Sequence, residues 1–105
     1  MYLIILCTCP DQTTAEDIAS HLVRHKLAAC INIIAGVTSI YEWHGKIEKT
    51  QEYQLVIKSH SDKYSSIEEE IKSLHPYELP EIIAVPIERG HPDYLQWINT
   101  CLSTK

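Results

Sequence analysis

Two cysteines near the N-terminus, Cys7 and Cys9, form a C-x-C pair at the end of an apolar run. In an extended strand, residues two apart point to the same side and lie about 6.6 Å apart, which suits two separate metal ligands better than a disulfide. Thiolates are soft ligands that select Cu(I) or Zn. Structural metal sites usually need four ligands, so the pattern favours two reduced, half-buried cysteines and leaves a metal site as the alternative.

A second pair of candidate ligands, His21 and His25, is spaced by four residues, so both imidazoles lie on one face of a helix. Arg24 and Lys26 are their neighbours, and cationic neighbours make a poor metal site. A solvent-exposed face without a bound ion is therefore favoured. Cys30, in the segment AAC, is expected in the core.

Motifs of catalytic sites are absent from the sequence. The three glycines form neither a G-x-G-x-x-G fingerprint nor a phosphate-binding loop, and there is no G-x-S-x-G elbow and no H-E-x-x-H pair. The net charge of -5 argues against nucleic-acid binding, which needs clustered Lys and Arg. We therefore expect a protein that is not an enzyme and has no nucleic-acid partner.

The first segment, MYLIILCTCP, lacks the basic residues of a signal peptide, and its apolar run is too short to span a membrane. Tyr2 to Cys7 is therefore predicted to be a buried first strand. Without an export signal, we expect a cytoplasmic protein with no membrane partner. Its four cysteines are then expected to remain reduced thiols.

A helix is predicted after the first strand, because apolar residues from Ala15 to Leu27 recur with helical spacing. Thr13 with Glu16 fits a capping box, and Asp11 is an alternative cap. A second helix is predicted to begin near Ser61 or Asp62.

The second helix ends at His75-Pro76, because the residue before proline is pushed out of the helical region. A short buried strand follows over Ile82 to Val85. Pro86 removes a backbone donor, so this strand is expected at an edge or to end there. His91-Pro92-Asp93 opens a last helix.

The longest feature is Ala28 to Ser59, two strand-like runs on either side of a tight turn at His44-Gly45. Period-two alternation and the Gly-containing turn predict a β-hairpin. Each arm exceeds the usual strand length of about five or six residues, so the outer half is expected to reach beyond the sheet.

Together these elements follow the order β-α-β-β-α-β with an extra C-terminal helix. This is the α+β, ferredoxin-like pattern of a four-stranded antiparallel sheet with helices on one face, and residues 1–105 are expected to form a single domain. The segments LIIL and IIAV are apolar on both faces, although no chain remains to cover the second face. A homo-oligomer is therefore implied.

The register of the hairpin contains a conflict. A two-residue turn pairs Trp43 with Lys46, and continuing that register places Ile31 and Ile33 on the wrong face relative to the apolar residues of the second arm. A shift of one residue repairs this. Gly36 is the expected place for it, as a bulge or kink that turns the tip away from its own sheet.

A family resemblance spans about Leu3 to Ile98 and is carried, in order, by LCTCPD, KLAACINIIAGVTSIYEWHGKIE, YQLVIKS, HPYELPEIIAVPI and DYLQWI. These segments resemble the divalent-cation-tolerance (CutA) family. The resemblance implies a ferredoxin-like fold assembled as a tight homotrimer, similar in architecture to PII signalling proteins. It also implies a cytoplasmic protein linked to tolerance of copper and other divalent metals. Two residues depart from the family pattern: Ala35, where many members have Pro, and Cys9.

The resemblance also implies which side chains could form a site. Cys7 and His75 stand where copper ligands are proposed in the family, and Glu81 is a third candidate metal ligand. Clefts between subunits of the related trimers lie near the hairpin and the HPY segment. The other side chains expected to meet in such a cleft are Tyr41, Trp43, Lys58, Tyr77 and Tyr94.

Three hypotheses follow. The first is a cytoplasmic homotrimer that weakly binds copper or another divalent metal and takes part in metal tolerance, with no obligatory cofactor. The second is a PII-like regulatory module whose intersubunit cleft holds a small anionic ligand. The third is a structural trimeric scaffold. In each, the segment from Glu42 to Glu52 is expected to act as the assembly arm, with Trp43 in contact with another chain.

Overall fold

The structure is a computed structural model and describes residues 1–103. Its elements are β1 (Tyr2–Cys9), α1 (Gln12–Arg24), β2 (Cys30–Trp43), β3 (Lys46–His60), a 3-10 turn (Ser61–Lys63), α2 (Tyr64–Leu74), β4 (Ile83–Pro86) and α3 (Pro92–Leu102). The strands form one antiparallel sheet in the order β2-β3-β1-β4. The predicted ferredoxin-like fold is therefore confirmed. None of the helices in residues 1–103 is long and apolar enough to cross a membrane.

The helix ends follow local chemistry. Asp11 begins α1, because its extended backbone lets the carboxylate accept a hydrogen bond from the Thr14 backbone N–H at 2.8 Å. This is the alternative cap, whereas Thr13 already lies inside the helix. The second helix ends at Leu74, and His75 is extended as expected of a residue before proline.

The main core lies between one face of the sheet and the helices α1 and α2. Alternate residues of β1 and β3, including Ile5 and Ile57, meet Ile18 of α1 and Ile71 of α2, and all four are fully buried. The helical periodicity identified the same face of α1, on which Ala15 and Leu22 are also buried.

The opposite face of the sheet is partly covered by α3. Tyr94 of this helix lies beside Cys30, which points away from the main core, and Ile98 and Leu102 are buried. The expectation that no chain remains to cover this face is therefore wrong, because the terminal helix returns to it.

Strand β4 lies at the edge of the sheet, as Pro86 predicted, and pairs only with β1 among the described residues. Its predicted burial is wrong for the single chain. Ile83 is 52% exposed and Val85 is 47% exposed. An edge strand has one sheet neighbour, and no helix of the described chain covers these side chains.

The hairpin of β2 and β3 contains the predicted irregularity. Trp43 pairs with Lys46 around a turn in which His44 and Gly45 both have positive φ, as a tight hairpin turn requires. The register shifts between Ile34 and Val37, where Gly36 has a φ of 76°. This is a β-bulge, since Ala35 and Gly36 together face one residue of β3.

Beyond the bulge the hairpin leaves the sheet. The last pair between β1 and β3 is Cys9 with Tyr53, so the outer part of β2 and β3 is a ribbon of two strands. We call residues 37–52 the ribbon. It contributes to an elongated chain of 46 × 26 × 22 Å.

His21 departs from the solvent-exposed face predicted for it. Its Nε2 lies 2.5 Å from Oε1 of Glu70 on α2, so this side chain joins the two helices. The helical pattern of α1 alone could not reveal a partner on α2. His25 is exposed and stacks on His21.

Candidate metal centre and adjoining cleft

His75 occupies a buried position immediately after α2. Its Nε2–H donates a hydrogen bond to the Thr8 carbonyl at 2.7 Å, and its Nδ1 accepts one from the Tyr77 backbone N–H at 3.0 Å. This pattern describes a neutral ring with the proton on Nε2. The two bonds fix the imidazole against the end of β1.

Cys7, Cys9 and His75 form a buried cluster at that end of β1. Their ligand atoms all lie within 4.8 Å of one another. Two donors around a zinc ion at bond lengths of about 2.0–2.3 Å lie roughly 3.5–4 Å apart, so small side-chain movements would bring all three onto one ion. Two sulfurs and one imidazole nitrogen form a donor set for a soft metal such as Cu(I) or Zn.

The two thiols differ in acidity because they lie side by side. The hydrogen bond to Cys9 raises the pKa of the Cys7 thiol, and burial raises it further. The same hydrogen bond lowers the pKa of the Cys9 thiol below its ordinary value. Each thiol must lose its proton to bind metal, because the thiolate is the form that coordinates an ion.

A cleft of about 860 Å³ adjoins this cluster. Its lining consists of residues from β1, the ribbon and the segment after α2: Thr8, Ser39, Ile40, Tyr41, Glu42, Trp43, Glu52, Pro76, Tyr77, Glu78, Leu79 and Glu81. Thr8 stands between the two cysteines in sequence, so the cleft and the thiol cluster share one strand. A volume of this size is in the range of small-molecule sites.

Glu52 and Tyr77 form a hydrogen-bonded pair in the cleft. The Tyr77 hydroxyl donates to Oε2 of Glu52 at 2.7 Å, and the glutamate is only 5% exposed. Burial and this bond to Glu52 raise the pKa of Tyr77, so the phenol keeps its proton. Burial and the charge of Glu52 likewise raise the pKa of Glu81.

The bulge separates the part of β2 that faces the core from the part that lines the cleft. Before it, Ile33 pairs with Leu55 and points into the core; beyond it, Val37 pairs with Glu52 and Tyr41 with Glu48. Directly opposed residues share a face. The odd-numbered residues of β2 therefore point toward the core before the bulge and lie on the same face as Glu52 beyond it. Tyr41 and Trp43 therefore line the cleft, although Ile33, which is also odd-numbered, points into the core.

The sequence-predicted site residues are only partly brought together. Cys7 and His75 meet, and Cys9 joins them, fully buried rather than half-buried. The cleft contains Tyr41, Trp43 and Tyr77 as expected. Glu81 lies in the cleft but outside the three-residue ligand cluster, because the segment after α2 directs it toward Glu52.

Lys58 and Tyr94 are not in the cleft. Lys58 bonds to the Asn32 side chain and pairs with Cys30, six residues from Glu52 along β3 and therefore about 20 Å away. Tyr94 lies on α3 beside the same Cys30. The two residues adjoin the far end of the sheet from this cleft, and the resemblance placed them in a cleft between subunits, which stays a prediction.

Glu52 is a site residue that the sequence did not single out. It lies in the polar start of the second hairpin arm, where alternation is weak, so nothing marks it as buried. The available signal was the register, since the two-residue turn that pairs Trp43 with Lys46 also places Glu52 opposite Val37.

Comparisons with known proteins identify the family. The family model described as CutA1 divalent ion tolerance protein matches residues 3–101. The Protein CutA homolog of Xenopus laevis is 54% identical over 92 residues, which are 88% of this chain and 61% of that protein. The Divalent-cation tolerance protein CutA of Escherichia coli (strain E24377A) is 42% identical over 100 residues, 95% of this chain and 89% of that protein.

A solved structure agrees with these sequence matches. The structure described as the periplasmic divalent cation tolerance protein CutA from Archaeoglobus fulgidus superposes with a TM-score of 0.96 at 40% identity, covering 98% of this chain and 100% of that one. The chain therefore belongs to the CutA1 divalent ion tolerance family.

Proposed function

We propose that this protein takes part in cellular tolerance of copper or another divalent metal by weakly binding the ion at Cys7, Cys9 and His75. The buried cluster of two thiols and an imidazole within 4.8 Å carries the proposal. The names of the relatives in Escherichia coli and Archaeoglobus fulgidus, both divalent cation tolerance proteins, support the biological role. The proposal is for a binding protein without catalytic activity or an obligatory cofactor.

The hydrogen bonds of the cluster explain why binding should be weak. Both ring nitrogens of His75 are already bonded, so coordination through either one breaks a hydrogen bond to Thr8 or Tyr77. Such a bond contributes a net stabilisation of about 0.5–1.5 kcal/mol. The raised pKa of Cys7 adds a further cost, because a thiol must lose its proton to bind metal.

We also propose that the protein is a homotrimer located in the cytoplasm. Exposed apolar side chains on the ribbon support assembly, since Ile40 is 68% exposed and Ile47 is 75% exposed. Trp43, 39% exposed at the ribbon tip, is proposed to contact another chain.

Reduced thiols suit a cytoplasmic location. One related structure is described as periplasmic, so the location needs a test. Fractionation of cells, followed by detection with an antibody to the protein, provides it.

Anaerobic titration with Cu(I) and with Zn(II), followed by calorimetry, tests the metal proposal. The wild type should bind one ion per chain, and Cys7→Ser or Cys9→Ser should abolish stoichiometric binding. Cys30→Ser is the matched control, because this free cysteine lies on the other face of the sheet and should leave binding unchanged. Binding that survives both cluster substitutions would contradict the assignment.

The alternative of a PII-like module that binds a small anionic ligand gains no support from the cleft of one chain. Four glutamates line this cleft, and its lining residues include no Lys, Arg or His. Lys58, the expected counter-charge, lies at the other end of the sheet. A structural trimeric scaffold is the conclusion if a trimer forms and neither metals nor small molecules bind to it.

A further inference from the structure

The three candidate ligands at the end of β1 are held to different degrees. The sulfurs of Cys7 and Cys9 lie within 4.8 Å of each other, and Cys7 Sγ lies 3.8 Å from the Thr8 carbonyl oxygen. Such contacts are weak, because a thiol is a weak donor and a weak acceptor. The two sulfurs can therefore exchange these contacts for an ion at little cost.

The imidazole of His75 is held more firmly, because both of its nitrogens are bonded. Coordination of a metal through Nε2 would move the ring proton to Nδ1, where it would face the backbone N–H of Tyr77, donor against donor. Coordination through Nδ1 would displace that N–H from its acceptor. His75 is 7% exposed, so water does not readily replace a lost partner, and either route leaves a buried polar group unpaired.

This difference favours an ion that two sulfurs can satisfy. Cu(I) is monovalent and soft, and a pair of thiolates is a sufficient ligand set for it. Zn(II) in a closed site usually takes four ligands, whereas no fourth Cys, His, Asp or Glu among residues 1–103 joins the cluster. Water could complete a zinc site only by entering a buried position, since Cys7 and Cys9 are both 0% exposed.

We infer that Cys7 and Cys9 alone hold Cu(I), while His75 keeps both of its hydrogen bonds and acts as a positioning residue. The inference rests on the proposed function and narrows it to one ion in one oxidation state. His75 bonds to the carbonyl of Thr8, the residue between the two cysteines, so the imidazole fixes the end of β1 that carries both sulfurs without coordinating the ion. Selection against divalent ions then comes from the shortage of further ligands.

X-ray absorption at the copper edge, measured on the full chain loaded with Cu(I) in the absence of oxygen, tests the ligand assignment. The copper shell should contain sulfur alone, and a nitrogen neighbour would overturn the inference. Heteronuclear NMR of the imidazole nitrogens gives a second readout, because His75 should keep its proton on Nε2 after loading. A change of this tautomer on loading would identify the ring as a ligand and would also overturn the inference.

A substitution of His75 distinguishes the two ions. His75→Asn removes the imidazole but keeps an acceptor for the Tyr77 N–H, since an Asn side chain bonds to the backbone two residues on. Affinity for Zn(II) should fall by about tenfold or more, whereas affinity for Cu(I), measured against a chromophoric chelator, should change by less than about threefold. His25→Asn is the matched control, since this exposed imidazole at the end of α1 should affect neither ion.

The possible results separate this inference from the proposed function. If the wild type binds Zn(II) but not Cu(I), or if His75→Asn weakens both ions equally, the inference fails while metal binding at the cluster stands. If neither ion binds to the wild type, both fail. Circular dichroism reports the fold of each variant, and if His75→Asn does not fold, the absorption and NMR measurements on the wild type decide the question.

Discussion

Among single residues, the pair of Glu52 and Tyr77 links the ribbon to the segment that carries His75. Tyr77 uses its hydroxyl for the buried carboxylate and its backbone N–H for the imidazole. Its ring centroid also lies 4.7 Å from that of His75. Tyr77 therefore contacts both the metal cluster and the cleft.

Tyr77→Phe should lower the free energy of unfolding by about 1.5–3 kcal/mol, because it leaves the buried Glu52 carboxylate without its donor. Tyr64→Phe is the control, since that hydroxyl donates to Glu68, which is less buried, at 3.1 Å, and it should cost less than about 1 kcal/mol. Urea unfolding followed by circular dichroism measures both. Equal losses in the two variants would contradict a special role for the Glu52 bond.

Metal affinity should rise with pH. The pKa of Cys7 lies above its ordinary value of 9.0, so this thiol is protonated near neutrality and must release a proton to bind. The apparent affinity should increase by about tenfold per pH unit between pH 6 and 8 for this proton alone. Calorimetry in buffers of different ionisation enthalpy counts the protons released. An affinity that does not change with pH would exclude thiolate coordination by Cys7.

Some of these residues could be predicted from the sequence and others could not, for physical reasons. The C-x-C spacing was sufficient to place Cys7 and Cys9 on one side of a strand, and the family resemblance supplied His75. Glu52 was missed, and Lys58 lies outside the cleft of the single chain, because the surroundings of a charged residue depend on tertiary partners such as Tyr77 and Asn32. Such partners lie far away in sequence and leave no periodic trace.

Among the elements, the hairpin shows how a single irregular position organises a site. The bulge at Ala35 and Gly36 lets β2 contribute Ile33 to the core and Tyr41 to the cleft, although both are odd-numbered. Sequence reasoning located this shift correctly, because the faces of both arms had to agree with one buried sheet. It missed the return of α3 to the second face, because the faces of a short amphipathic helix do not reveal which surface the helix packs on.

Gly36→Ala should lower the free energy of unfolding by about 1–2 kcal/mol, the cost of a left-handed backbone for a residue with a side chain. The loss comes from the backbone alone, since φ is 76° and a Cβ atom would meet nothing within 4 Å. Gly36→Asn should cost less, because Asn tolerates this conformation better. Urea unfolding compares the two variants, and an Ala variant as stable as the Asn variant would argue against the left-handed bulge.

For the whole molecule, apolar surface remains exposed in two places. The ribbon presents Ile40 and Ile47, and the edge strand β4 presents Ile83 and Val85. Side chains of this kind stabilise a protein when another surface covers them, at about 25 cal/mol for each Å² removed from water. This distribution supports the proposal that the ribbon is an assembly arm.

Replacing residues 40–49 with Asn-Gly, so that Ser39 and Thr50 close a tight turn, should dissociate the proposed trimer while the four-stranded sheet stays folded. The register permits this, since Ser39 and Thr50 already pair. Analytical ultracentrifugation gives the oligomeric state, and circular dichroism checks the fold. A trimer that persists without the tip would place the assembly surface elsewhere, with β4 as the next candidate.

The bulge affects the direction of the ribbon without changing which side chains lie on each of its faces. Ile34 pairs with Gln54 and Val37 with Glu52, so removing Ala35 would leave Gly36 opposite Tyr53 and every other pair unchanged. The same side chains would keep the same faces on a straighter strand. The curvature of this hairpin can therefore change while its side chains and their faces stay the same. A change of length by one residue can re-aim the arm toward a different neighbour without altering a single functional group.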